Sequence, residues 1–283
     1  MRLGVCILPE QRWPEQQRLW QRAEELGFDH AWTYDHLAWR SLRDGPWFGA
    51  VPTLSAAALA TSRIRLGPLV ASPNYRHPVP FAKELMTVDD ISVGRLVVGI
   101  GAGGEGWDAA MLGRTPWSAR ERADRFAEFV ELLDVLLRQP KTKYEGNWYS
   151  ADEARTYPGC VQQPRVPFAV AAAGPRGMRL AASYAETWVT TGDRSGGGIG
   201  GVADQVKGLE DVCLSAGRDP STIGRLVLTG PELDPGLESE GAFADTVGRY
   251  EEVGITDLVV HWPRPSEPYA GDVATFERVV SRR

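Results

Sequence analysis

Arg95-Leu96-Val97-Val98-Gly99-Ile100 is a nearly unbroken apolar run, and Gly101-Ala102-Gly103-Gly104-Glu105-Gly106-Trp107 ends it. A half-exposed strand alternates apolar and polar residues; this one does not. It reads as a strand covered on both faces, as parallel strands flanked by helices are. The same punctuation recurs outward from it. Leu3 to Leu8, His30 to Tyr34 and Ile64 to Ala71 precede it as strands. Phe168 to Ala172, Thr187 to Thr190, Leu226 to Thr229 and Leu258 to His261 follow it. Helical patterns separate them. The clearest runs from Ser118 to Arg138, with Ser118 and Glu121 spaced as a capping box. Eight such units in 283 residues predict a closed (β/α)8 TIM barrel with one parallel sheet. A doubly wound open sheet is the rival. Tyr144 to Cys160 breaks the rhythm and reads as a two-stranded excursion. The chain is therefore read as one barrel domain over 1–283, with an insertion around 139–166.

Composition narrows the function. There are 31 basic and 37 acidic residues, a net charge of −6, and no long Lys/Arg run, so nucleic acid is not an expected partner. No apolar stretch reaches the ~18 residues of a membrane helix, and the short apolar N-terminal run does not read as a signal peptide. The expectation is a cytoplasmic protein acting on a small molecule. Cys6, Cys160 and Cys213 are far apart and odd in number, which argues against a disulfide framework. No metal-ligand spacing occurs, so no metal is expected.

In a β/α barrel, functional groups gather on the loops after the C-terminal ends of the strands. That rule ranks the polar residues. Asp35 and His36 follow the second strand. Ser72, Asn74 and Arg76 follow the third. Gly103, Gly104, Glu105 and Trp107 follow the fourth, and Gly174, Arg176 and Gly177 the fifth. Asp193 and Arg194 follow the sixth. His261 ends the eighth and is a secondary candidate. A histidine at such a position titrates near neutrality, and an adjacent carboxylate would tune it. His30 sits at the opposite, stability end and reads as structural. Ala173-Gly174-Pro175-Arg176-Gly177 puts glycines and a helix N-terminus where an anion could bind; a plain strand-to-helix turn has the same pattern. Gly99 to Gly104 spells GxGxxG, but no second strand ends in an acid about 20 residues on, so it is a poor dinucleotide fingerprint.

Taken together, these segments resemble the bacterial luciferase-like superfamily of flavin and deazaflavin oxidoreductases, and within it the members that use coenzyme F420. The resemblance rests on Leu3-Gly4-Val5, Ala23-Glu24-Glu25-Leu26-Gly27-Phe28-Asp29, Trp32-Thr33-Tyr34-Asp35-His36, Thr61-Ser62-Arg63-Ile64-Arg65-Leu66-Gly67, Tyr75-Arg76-His77-Pro78, Gly94 to Gly103 and Ala173 to Gly177. It implies a flat redox ring over the barrel mouth. Ala71, Ser72 and Asn74 would lie behind the ring, with a non-proline cis peptide around Ala71-Ser72. Gly103 and Gly104 would lie beside it, and Ala173, Gly174, Pro175, Arg176 and Gly177 would hold the cofactor phosphate. His36 would be the acid/base with Asp35 tuning it. Glu105 stands near, though offset from, a proton-donating glutamate of some members. Trp13, Trp39, Trp47, Phe48 and Trp107 would cover the substrate. The implied activity is hydride transfer between F420 and a small apolar or planar compound. Two alternatives remain: an FMN-dependent monooxygenase using O2 and a separate reductase, and a non-catalytic flavin- or deazaflavin-binding barrel. Relatives commonly pair, so a homodimer is expected.

Overall fold

Glycine decides where this sheet closes on itself. The computed structural model describes residues 1–104, 106–192, 196–230 and 232–281. Its strands are β1 (Arg2–Cys6), β2 (His30–Thr33), β3 (Arg65–Pro68), β4 (Val98–Gly101), β5 (Lys141–Glu145), β6 (Ser150–Arg155), β7 (Phe168–Ala171), β8 (Thr187–Thr190), β9 (Gly224–Leu228) and β10 (Asp257–His261). Its α-helices are α1 (Trp13–Glu25), α2 (Ala50–Ala60), α3 (Pro78–Ile91), α4 (Trp107–Met111), α5 (Ala119–Arg138), α6 (Pro175–Tyr184), α7 (Gly198–Ser215), α8 (Glu240–Glu252) and α9 (Val273–Val280). Eight strands form one sheet in the order β3-β2-β1-β10-β9-β8-β7-β4, all neighbours parallel. The two edges meet through the bridges Leu66–Leu96 and Ala71–Ile100, which makes a barrel and excludes the open sheet.

That seam is tight. A Cβ on Gly67 would lie 1.8 Å from the Val97 carbonyl oxygen, and one on Gly99 would lie 2.2 Å from that of Pro68. Across it, Val97 N donates to Leu66 O (2.9 Å) and Ala71 N to Gly99 O (2.8 Å). Between them, Leu69 N still donates to Thr33 O on β2 (2.8 Å). The chain therefore changes partner between Leu69 and Ala71, and the cis peptide lies there, at Leu69–Val70. The expected position, Ala71–Ser72, is two residues too late, because by Ala71 the strand has already paired with β4.

The excursion is an antiparallel pair, β5 with β6. It packs near α5, whose wide apolar face (Phe126, Phe129, Val130, Leu133, Leu136, Leu137) is buried. The capping box at Ser118 and Glu121 is formed in both directions. All three cysteines are buried and free. No described helix is long and apolar enough to cross a membrane.

The bottom of the barrel is closed by polar side chains that satisfy one another. His30 Nδ1 accepts from Trp32 Nε1 (2.7 Å) and its Nε2 meets Asp257 Oδ1 (3.0 Å). Arg2 grips the same carboxylate with Nε and Nη2. Burial pushes Asp257 up, and bonds from His30, Arg2 and Thr256 more than offset it, leaving its carboxyl at about 2.

Candidate active site at the barrel mouth

A cleft of about 990 Å³ opens at the C-terminal ends of the strands. Its wall includes His36, Trp39, Asn74, Gly104, Trp107 and Asp108, from the loops after β2, β3 and β4. His36 Nδ1 bonds Asp108 Oδ2 at 2.9 Å, and the other oxygen of Asp108 accepts from Leu37 N at 2.7 Å. A carboxylate only accepts, so Nδ1 carries a proton toward Asp108, and in the neutral ring Nε2 holds the lone pair. The His36 carbonyl is held in turn by Trp47 Nε1 (2.8 Å). Trp47 stacks on Trp39, and Trp39 on Tyr269, which builds an aromatic wall across the β2 loop.

Asp35 is not the partner of His36. Consecutive residues of an extended chain point to opposite sides, so adjacency in sequence works against contact. Asp35 is fully buried. Arg76 grips it with Nε (3.0 Å) and Nη2 (2.7 Å), and the Tyr75 hydroxyl donates to it. Arg76 also reaches Glu84 at 2.8 Å. Burial works against the Arg76 charge, but its bonds to Asp35 outweigh that and hold its pKa above the ordinary value. Burial, then the Asp35 charge, raises the Tyr75 phenol. This cluster ties the β3 loop to the end of β2.

The other candidates fall in several places. Ala71, Ser72 and Asn74 are buried under the cleft. Gly103 has φ +81°, and a Cβ there would strike Asn74 Nδ2 at 2.4 Å, so the β3 and β4 loops interlock at a position that needs glycine. Gly104 lines the cleft. Ala173 precedes α6, Gly174 is its N-cap and Pro175 its first residue. Arg176 is paired with Asp124 of α5. Residues 173–177 are not in the described lining of the cleft; Arg176 instead borders an acidic groove beside Glu128 and Glu131. Trp107 is on the cleft wall, within α4 rather than a loop, with Arg43 over its ring. Trp13 begins α1 and packs against the core, and Phe48 is exposed with its N–H on Pro9 O. Neither borders the cleft. Glu105, Asp193 and Arg194 lie outside the described residues.

Three residues had no sequence reading pointing to them: Asp108, 72 positions from its histidine, Tyr269 and Tyr34. His261 Nε2 lies 2.8 Å from the Tyr34 hydroxyl, which lies 3.1 Å from that of Tyr269. Burial drives His261 down to about 3, so its ring is neutral and cannot serve as a second proton carrier at ordinary pH. A carboxylate in the first turn after a glycine-rich strand end was the available signal for Asp108; nothing local marks Tyr269.

Fold and site together define a class: a (β/α)8 barrel whose third strand changes hydrogen-bond partner at the closing seam, with a histidine–carboxylate pair in an open C-terminal cleft. Within that class the chain belongs to the luciferase-like monooxygenase family, whose profile matches residues 1–230. It is 31% identical over 242 residues to the F420-dependent glucose-6-phosphate dehydrogenase of Microbacterium testaceum, covering 83% of this chain and 61% of that protein. It is 31% identical over 219 residues to the F420-dependent hydroxymycolic acid dehydrogenase of Mycobacterium tuberculosis, covering 72% and 55%. The chain thus spans about six-tenths of the length of these curated relatives. The coenzyme F420-dependent tetrahydromethanopterin reductase of Methanopyrus kandleri superposes with a TM-score of 0.81 at 20% identity, over 99% of this chain and 97% of that one, and shares the fold.

Proposed function

We propose that this chain is an F420-dependent oxidoreductase that moves a hydride between the deazaflavin and a small hydroxy or carbonyl compound. The observation that carries the reading is His36: a cleft-lining histidine with Nδ1 held by Asp108 and Nε2 uncommitted among the described residues. The family membership and the F420-dependent relatives support the choice of coenzyme. The residues present fit a flat ring. The cleft borders the glycine-rich segment after β4 at Gly104 and Gly106, where no side chain intrudes. The cleft volume is that of an ordinary cofactor or ligand site. The α6 N-terminus, with Gly174 open to space, offers unpaired backbone N–H groups to a phosphate.

When bound, F420 supplies a two-electron hydride donor or acceptor. The protein's share is the proton. A hydroxyl that gives up hydride from its carbon must also lose its O–H proton, and His36 Nε2 takes it; in the reverse direction the same nitrogen returns it. Asp108 fixes the tautomer and faces the charge that the ring gains. Trp39 and Trp107 give that side of the cleft an aromatic wall.

A fluorescence titration of the purified protein with F420 and with FMN tests the reading. Tighter binding of F420 than of FMN is the expected result. Preferential binding of FMN would replace it with the monooxygenase reading.

A further inference from the structure

A second cavity, about 470 Å³, opens between the loops that follow β9 and β10. Its wall is aromatic on one side: the His261 and Tyr269 rings lie 3.6 Å apart and 4° from parallel. Leu237, Pro263 and Phe276 supply further apolar wall. Tyr269 has φ +67°, a conformation that a bulky side chain holds only when its surroundings impose it. Here they do. Arg264 N donates to Tyr269 O (2.9 Å), and the Arg264 guanidinium bonds Glu10 Oε1 (2.7 Å) and the carbonyls of Ser266 and Pro268 (2.8 Å each). The chamber and the mouth cleft share a partition, for Trp39 lines the cleft, Tyr269 lines the chamber, and the two rings stack.

The charge in the chamber is one-sided. Asp234, Glu238, Glu267 and Asp272 border it, and no lysine or arginine does among its described lining residues. Arg264 is not among the lining residues; its Nε bonds Glu10 and its Nη1 two carbonyls of its own loop. A phosphate dianion would meet repulsion and no cationic donor. An apolar body would gain by burial against the ring stack.

We propose that this chamber is a ligand site of its own, beside the mouth cleft, and that it selects an apolar, unphosphorylated molecule and rejects phosphate esters. The proposal does not depend on the oxidoreductase reading, and neither does its binding test. Ligand-observed NMR without coenzyme compares 2-naphthylmethanol with its phosphate ester. The alcohol binds, the ester binds roughly tenfold more weakly or worse, and Leu237→Trp weakens the alcohol roughly tenfold by filling the chamber. The paired substitution Glu238→Arg with Glu267→Arg, both at exposed positions, improves the ester roughly tenfold. Equal binding of ester and alcohol to the unaltered protein, or no gain for the ester in the charge-reversed variant, overturns the proposal. F420 affinity is titrated separately, so loss of the coenzyme reading would show there and not in these measurements.

Discussion

Two histidines six positions apart are paired with carboxylates at opposite ends of one barrel. At the bottom, His30 has both ring nitrogens committed, to Trp32 and to Asp257, and is buried. At the mouth, His36 has one nitrogen committed, to Asp108, and its ring borders a cleft. The bottom pair is reinforced by Arg2 and Thr256. The mouth pair gains only one backbone N–H, from Leu37. The same two side-chain types are fully satisfied at the bottom, and at the mouth, where we propose the chemistry, they leave one ring nitrogen over. A β/α barrel segregates the two roles by direction, because all its strands run the same way.

The sharpest way to break this comparison is to remove each ring in turn. His36→Ala is expected to lower turnover by about 10²–10⁴-fold, the usual share of a positioned acid/base, with little change in the denaturation midpoint. His30→Ala should do the reverse. It leaves the buried Asp257 with one partner fewer and Trp32 Nε1 without an acceptor, at a cost of about 3–5 kcal/mol in urea unfolding and no change in turnover per folded molecule. A folded His30→Ala protein that had lost turnover would dissolve the distinction. Asp108→Asn sharpens it. An amide NH2 donates where the carboxylate accepted, so the Nδ1 proton moves to Nε2. Turnover is then expected to fall about ten- to a hundredfold, as when carboxylates that orient metal-bound histidines are removed. The ring's 15N shifts report the tautomer directly and would be unmoved if Asp108 only filled space.

The barrel was legible because its strands are continuous apolar runs, whose meaning is local. The run Leu96-Val97-Val98-Gly99-Ile100 has no polar residue at either parity, and so declares burial on both faces without reference to anything distant. His30 was legible for the same reason: it opens a strand, so it belongs at the bottom. The site was legible only as a neighbourhood. His36 could be placed at the mouth, but its partner comes from a separate strand–helix unit, and the adjacent Asp35 was the tempting choice. Strand geometry turns that residue the other way, toward Arg76 and Tyr75. The cis peptide was expected from resemblance around Ala71–Ser72 and lies two residues earlier, where the chain exchanges hydrogen-bond partners between β2 and β4 beside the close approach of Gly67 and Gly99. Tyr269 reaches the mouth through a loop clasped by Arg264 and Glu10, 254 positions apart, for which no local pattern exists.

The third histidine of the barrel interior gives the smallest effect and separates the two ends by pH. His261 is buried, stacked on Tyr269, and held neutral with its pKa pushed down from 6.5 to about 3. In the unfolded chain it takes a proton near its ordinary value. Between those two values the unfolded state binds more protons, so stability rises with pH across the window and falls as the solution is acidified. From pH 6.5 to 5 the loss is about 2 kcal/mol, from about 1.5 units at ~1.36 kcal/mol each. Asp257 works in a lower range. Its carboxyl is depressed to about 2 from 3.8, so its contribution is full above 3.8 and is lost only as pH falls through 2. His77, also shifted down by burial, is largely exposed and contributes little. Urea midpoints at pH 6.5 and 5 should therefore differ in the unaltered protein and in an Asp257→Asn variant, while His261→Gln removes most of the slope. If His261→Gln kept the slope, another group would carry it, and the reading of His261 as a neutral ring between Tyr34, which it meets edge-on, and Tyr269, on which it stacks, would fall.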